Sequence, residues 1–180
     1  MRHQTITKNE RYEPYHSGTG VQLHEMISMS IIEINESNYQ TYTKLDIVAF
    51  SFAYEGAMGD SGSICIIDKA GQIYYAKYCW SDDCIDRDHI KDIIPIFDEL
   101  EFHMFGIETK NENWASVDLG FGNSLLITKD ISEEFNQKVK EANFQRVGQL
   151  FQHWPGFVLG MLGANDTDLT MSRIWDIKKD

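Results

Sequence analysis

The sequence predicts an α+β fold, a single domain in which a mainly antiparallel sheet, a meander plus a hairpin, is covered by helices on one face. Three observations carry the prediction. Strand-forming runs occupy the first two-thirds of the 180 residues and helical periodicity dominates the rest, the order expected when strands and helices segregate. No Pro-rich or Gly/Ser-rich linker divides the chain, and Pro14, Pro95 and Pro155 stand far apart. Hydrophobic residues make up 42%, with ten Phe, eight Tyr and four Trp, enough for a sizeable core at a length that suits one domain.

The elements follow in order. Residues 1–20 hold few apolar side chains and read as an irregular N-terminal arm. From Val21 the stretch VQLHEMISMSIIEI alternates and is expected to be strand. Residues 45–79 predict a three-stranded antiparallel meander. Ile47 to Tyr54 and Ser63 to Asp68 are strand formers, Lys69-Ala70-Gly71 is a turn, and Gln72 to Tyr78 is strand again. The middle run is almost wholly apolar, so burial on both faces is expected. Asp86 to about Glu101 reads as a helix, with Ile90, Ile93, Ile94, Phe97 and Leu100 at steps of three or four and Pro95 as a kink or split. Acids at its start suit the positive end of the helix macrodipole. Trp114 to Leu119 and Ser124 to Thr128 form a hairpin through Gly120-Phe121-Gly122-Asn123. A capped helix runs from Asp130 to about Ala142, and VGQLFQHWPGFVLGMLG is a helix interrupted at Trp154-Pro155 and ending near Gly163. Residues 165–180 are left as a C-terminal tail.

Charge narrows the functional classes. The formal net charge is −12, and it is unevenly placed: −4 over residues 1–60, −7 over 61–120 and −1 over 121–180. Residues 82–112 alone hold ten acids against Arg87, Lys91 and Lys110. Nucleic-acid binding through a basic face is disfavoured, because neutralising phosphates takes clustered Lys and Arg. No apolar stretch approaches the ~20 residues of a membrane span, and the first 20 residues lack the apolar centre of a signal peptide. A soluble cytoplasmic protein is expected. With Cys65, Cys79 and Cys84 making an odd number, reduced thiols are expected as well.

Several motifs invite chemistry. Gly59-Asp60-Ser61-Gly62-Ser63 resembles, across five residues, the Gly-Asp-Ser-Gly-Gly around the nucleophile of trypsin-like serine proteases, which would imply Ser61 as nucleophile. Ser63 departs from that pattern. Only 60 residues precede Ser61, too few for that architecture and its His, Asp, Ser order. A tight inter-strand connection accounts for the same letters, since Gly56, Gly59 and Gly62 permit positive φ and Asp60 and Ser61 bond locally to backbone. A phosphate loop is disfavoured by Glu55 and Asp60 and by the absence of a lysine. The pattern at Ser81 to Asp86 lacks the glycine of an EF-hand. Cys79, Cys84, His89 and His103 have the residue types of a zinc site, but no second tight ligand pair; buried cysteines and surface histidines are the preferred reading, and no metal or other cofactor is expected.

The acidic stretch beside its aromatic neighbours remains. Concentrated negative charge speeds encounter with a basic partner, and large aromatics anchor interfaces. The expectation is therefore a non-enzymatic acidic protein-binding domain, an inhibitor or immunity factor that masks a basic protein partner such as a nuclease toxin. Asp82, Asp83, Asp86, Asp88, Glu99 and Glu101 would steer and Trp80 would anchor. Two alternatives are kept: an enzyme of unknown class with a pocket near the 55–63 loop or around Cys79, Cys84 and His89, and a structural subunit that dimerises through its apolar C-terminal helix.

Overall fold

β-Branched and aromatic residues build the central sheet of the computed structural model, which describes residues 31–54, 61–79, 84–103, 106–144, 147–164 and 169–179. The strands are β1 (Ile31–Ile34), β2 (Ile47–Tyr54), β3 (Gly62–Asp68), β4 (Ile73–Tyr78), β5 (Leu100–His103), β6 (Gly106–Thr109), β7 (Trp114–Gly120) and β8 (Asn123–Thr128). The helices among the described residues are α1 (Arg87–Ile93), α2 (Lys129–Glu141), α3 (Val147–Met161) and α4 (Met171–Lys179), with 3-10 turns at Tyr39–Tyr42 and Pro95–Glu99. Six strands make one sheet in the order β1-β4-β3-β2-β8-β7, while β5 and β6 form a separate antiparallel pair. This is the α+β architecture that strand and helix segregation predicts.

The meander is present as expected, β3 pairing antiparallel with both β2 and β4. Every residue of β3 is buried, because this central strand is covered on both faces. A register irregularity between Ile47 and Ala49 lets β2 turn Ile47 and Phe50 to one face and Val48 and Ala49 to the other, as a bulge does. The hairpin β7–β8 turns through three consecutive residues with positive φ, Gly120 at 84°, Phe121 at 54° and Gly122 at 77°. Glycine takes that conformation freely, whereas Phe121 does not. At the edge, β1 runs parallel to β4, which makes the sheet mixed; of the strand expected from Val21, Ile31–Ile34 is observed and residues 21–30 lie outside the described residues.

Helices α2, α3 and α4 cover one face, as expected. Phe135, Leu150, Trp154, Val158, Met171 and Ile174 pack there on Ala49, Cys65, Ile67, Leu125 and Ile127. The other face is covered too, which the prediction of one covered face omits. Ile85, Ile90, Ile93, Ile94, Ile96, Leu100 and Ile107 pack on Phe50, Phe52, Ile64, Ile66 and Leu126.

Four local expectations are corrected. The helix foreseen from Asp86 to Glu101 ends at Ile93, because Ile94, the residue before Pro95, is extended with φ −110° and ψ 92°; a 3-10 turn follows, and Leu100 and Glu101 belong to β5. Conversely, α3 is not interrupted at Trp154-Pro155. Pro155 has no N–H to give, and the Gly156 N–H donates outside the helix, to the Leu169 carbonyl at 3.1 Å, so a tertiary bond supports the helix where its own ladder is broken. Within the segment left as a tail, residues 171–179 form α4, with Met171 and Ile174 buried. Finally, Cys79 and Cys84 are not reduced thiols but a disulfide with Cα atoms 5.5 Å apart; bonds from Cys79 N–H to Ile85 O and from Ile85 N–H to Lys77 O bring the two cysteines together.

Candidate functional site

The cover formed by α1, the Pro95–Glu99 turn and the β5–β6 hairpin carries the acidic stretch. Asp86 is the N-cap of α1, its carboxylate accepting the Asp88 N–H at 3.0 Å. Glu36, in the turn after β1, and Tyr39, at the start of the 3-10 turn, hold the beginning of α1. Glu36 Oε2 accepts the Asp86 N–H at 3.0 Å and Glu36 Oε1 lies 2.7 Å from His89 Nδ1. The His89 ring stacks on Tyr39 with centroids 4.6 Å apart and planes 7° from parallel. The Asp86 N–H and then His89 hold the Glu36 carboxyl below its ordinary range, while the hydrogen bond to Glu36 raises His89 against the opposing effect of desolvation. Glu36 and Tyr39 had no part in the sequence-based site; only their spacing before a buried strand hints at them.

The six carboxylates and the tryptophan expected to form the surface divide as follows. Trp80, Asp82 and Asp83 lie outside the described residues, as do residues 55–60 of the Gly-rich loop. Asp86 is half-buried and spent on capping, so it serves the helix first. Asp88, Glu99 and Glu101 are exposed. The Arg87 guanidinium carbon on α1 sits 5.9 Å from the centroid of Phe102 on β5, joining the neighbour of Asp88 to the neighbour of Glu101. Glu99 accepts from Asn111 Nδ2 at 2.8 Å, and Glu101 pairs with Lys110 at 2.6 Å. Lys110, by bond and by charge, lowers the Glu101 carboxyl. Asp92, Asp98, Glu108 and Glu112 are exposed on the same cover.

A cleft of about 600 Å³ opens where β6 crosses β7 and β8, lined by His103, Glu108, Ser116, Asp118 and Ser124 among others. Its floor is held by backbone. Ser124 Oγ accepts the Ile107 N–H at 2.8 Å, and the Ser116 hydroxyl donates to the Ile107 carbonyl. Gly106 is required at this crossing, because a Cβ there would stand 2.7 Å from Ser124 Oγ. Both serines are thus engaged in docking the small hairpin. His103 Nε2 lies 3.6 Å from Glu108 and 4.0 Å from Glu101. Sequence reasoning missed this cleft because it extended the preceding helix through Glu101; the alternation across Leu100 to His103 was the available signal.

The zinc arrangement does not assemble. Cys79 and Cys84 bond to each other, His89 is held by Glu36, and His103 stands with Glu101 and Glu108 on another element. Among the described residues no three His, Cys, Asp or Glu side chains lie together as a metal site. Cys65, the remaining thiol, is fully buried and its pKa is pushed up to about 12 by desolvation, which makes it a small apolar side chain in practice. In the GDSGS stretch, Gly62 and Ser63 are the first residues of β3, and Gly62 is pressed against Ala53 O and Tyr78. Its glycine is thus accounted for by strand packing. Among the described residues no helix is long and apolar enough to cross a membrane. No family model, curated protein or solved structure matches the chain.

Proposed function

We propose that the chain is a non-enzymatic, cytoplasmic, acidic protein-binding domain, an inhibitor or immunity factor that masks a basic partner such as a nuclease toxin. One observation carries the reading: the charge is separated by layer. Residues 86–112, which make the cover containing α1 and the β5–β6 hairpin, hold eight acids and three bases. The helices of the opposite cover, α2, α3 and α4, hold five acids and six bases. A field of one sign on one side of a domain orients an approaching basic protein and raises its association rate. Among the described residues Phe102, 36% exposed beside Arg87, is an aromatic side chain of this cover that an incoming protein could meet.

The test compares the two covers. After capture of a partner from the native organism's lysate at low salt, association rates are measured for Asp88→Lys/Asp92→Lys/Glu99→Lys and for Glu133→Lys/Glu134→Lys on α2. The first variant is expected to slow association about tenfold or more and to flatten its salt dependence, and the second to leave both nearly unchanged. Equal effects from the two covers would remove the reading.

A further inference from the structure

We propose that two copies of the chain pair through the outer edge of β7, antiparallel about a twofold axis, so that the six-stranded sheet of one continues into that of the other. This contact uses the edge of the sheet, not the acidic cover, and holds whether or not a basic partner exists. In the order β1-β4-β3-β2-β8-β7, β7 ends the sheet, and no described strand pairs with its outer side. The Lys129 N–H donates to the Asn113 carbonyl at 2.9 Å, which sets the phase of the β7–β8 ladder. Asn113, Ala115 and Val117 turn their backbone groups to β8, while Ser116 and Asp118 turn theirs outward. Trp114 agrees with that phase, its N–H donating to the Asn111 carbonyl at 3.2 Å instead of to β8. An open strand edge is a template for another strand.

Two features make that strand the β7 of a second copy. The first is self-complementarity. A pairing centred on Val117 overlaps all seven residues of β7 and lets Ser116 and Asp118 of each copy exchange backbone bonds with Asp118 and Ser116 of the other. Half-buried Val117 then meets itself, and no acid faces an acid, whereas a slide that set Asp118 against Asp118 would oppose like charges. The second is charge. Copies of formal charge −12 repel each other, so they meet where charge is sparse. A twofold axis through the seam is perpendicular to the joined sheet, which puts the helical covers of both copies on one side. There α3, which shares the core of that side with Leu119, holds no Asp, Glu, Lys or Arg, and its exposed positions include Gln149 and Gln152. Phe121, just past the end of β7, is 95% exposed and held at φ 54°, a conformation that costs a bulky side chain free energy. Its ring lies on the same helical side, where a Cβ on Gly148 would stand 3.3 Å from it. Interfaces gather aromatic residues and exclude charge from their centre, and an isologous pair closes at two copies.

Sedimentation velocity of the full chain over a range of concentrations, at low and at high salt, tests the pairing. The mass should rise with concentration from one chain to two, and association should tighten with salt, because screening weakens repulsion between two negative chains. A basic partner on the acidic cover would show the opposite salt dependence. Val117→Lys, which sets like charges at the twofold axis, should weaken self-association about tenfold or more. Phe121→Gly, unstrained at that φ, should weaken it about fivefold or more with no loss of folded stability. Val117→Cys keeps a small apolar side chain at the axis and should give a disulfide-linked pair of chains under a small-molecule disulfide oxidant. Residues facing each other at a non-hydrogen-bonded position of an antiparallel pair have Cα atoms about 4.5 Å apart, within reach of such a bond. Glu134→Cys, exposed on α2, should remain a single chain under the same treatment. A single-chain mass at every concentration and salt, masses that grow past two copies, unchanged self-association in Val117→Lys or Phe121→Gly, or cross-linking of Val117→Cys no faster than that of Glu134→Cys would each overturn the proposal.

Discussion

Asp68 closes the β3–β4 turn with one side chain. Its Oδ1 accepts the Ala70 and Gln72 N–H groups at 3.0 and 2.9 Å, and its Oδ2 accepts the Tyr74 hydroxyl at 2.9 Å. Burial first, and then this carboxylate, raise the Tyr74 pKa far above its ordinary value. Asp68→Ala removes an acceptor from three donors at the edge of the core, so a loss of about 1–3 kcal/mol is expected in urea unfolding. Asp68→Asn should recover part of it. Gly62 is a second site where one atom decides. A Cβ would overlap Ala53 O and stand 2.7 Å from the Tyr78 hydroxyl, and Gly62 is fixed between both neighbouring strands. Gly62→Ala is expected to lower stability by about 1–3 kcal/mol, as overpacking does; an unchanged unfolding midpoint would show that the strands part readily at this end.

At the scale of elements, the Glu36–His89 pair joins α1 to the turn after β1, and its pH dependence has a defined sign. Glu36 is lowered from an ordinary value of 4.5, so its contribution is present above that pH and disappears as pH falls through the depressed folded value. His89 is raised from 6.5, so its contribution is complete below that pH and is lost as pH rises through the higher folded value. The pair supports the fold most between those limits. Wild-type and Glu36→Gln unfolding midpoints should therefore differ most near pH 5–6 and draw closer, without meeting, at alkaline pH, where the His89 contribution is lost but the Asp86 N–H still bonds the carboxylate; the His89 titration seen by NMR should move downward in the variant. The disulfide makes a different prediction. Cys79 and Cys84 close a loop with a separation of five residues, and loops this short give a chain-entropy gain of about 2 kcal/mol. Because Cys79 and Ile85 are also held by backbone bonds, Cys79→Ser/Cys84→Ser should fold and lose about that amount. Alkylation followed by mass measurement, with and without a dithiol reductant, will show a two-thiol change.

The same elements show what a single sequence reveals. The 45–79 meander and the 114–128 hairpin were legible because β-branched runs end at polar, Gly-containing turns, a local signal. The β5–β6 hairpin was not, since Ile90, Ile93, Phe97 and Leu100 continue a helical spacing past the point where Pro95 ends the helix. Pro155 misled in the opposite sense, its cost being met by a long-range bond from Gly156 to Leu169. Cys79 and Cys84 were judged by count, while their pairing depends on the contact of β4 with Ile85. Of the candidate surface, the acidity was legible and the cleft was not, because its lining comes from two separate hairpins, β5–β6 and β7–β8.

For the whole molecule, the proposed role of the charge separation between the two covers would set stability against binding. The chain carries a formal −12, and compact chains far from neutrality repel themselves. Asp98 and Glu112 are exposed on the cover whose eight acids outnumber its three bases. Replacing them as Asp98→Lys/Glu112→Lys should raise stability by a few tenths to about 1 kcal/mol at low salt. Screening shortens the reach of these repulsions to about 3 Å at molar salt, so the gain should vanish there. The same variant should associate more slowly with a basic partner. Thermal unfolding at low and high salt, set beside association rates at the same salt concentrations, tests both halves together. A variant that is more stable and slower to bind means that the acids are kept at a cost to the fold for the sake of encounter. One that is more stable and binds as fast assigns the negative field to the solubility of the chain, and leaves any partner to be recognised by contact chemistry alone.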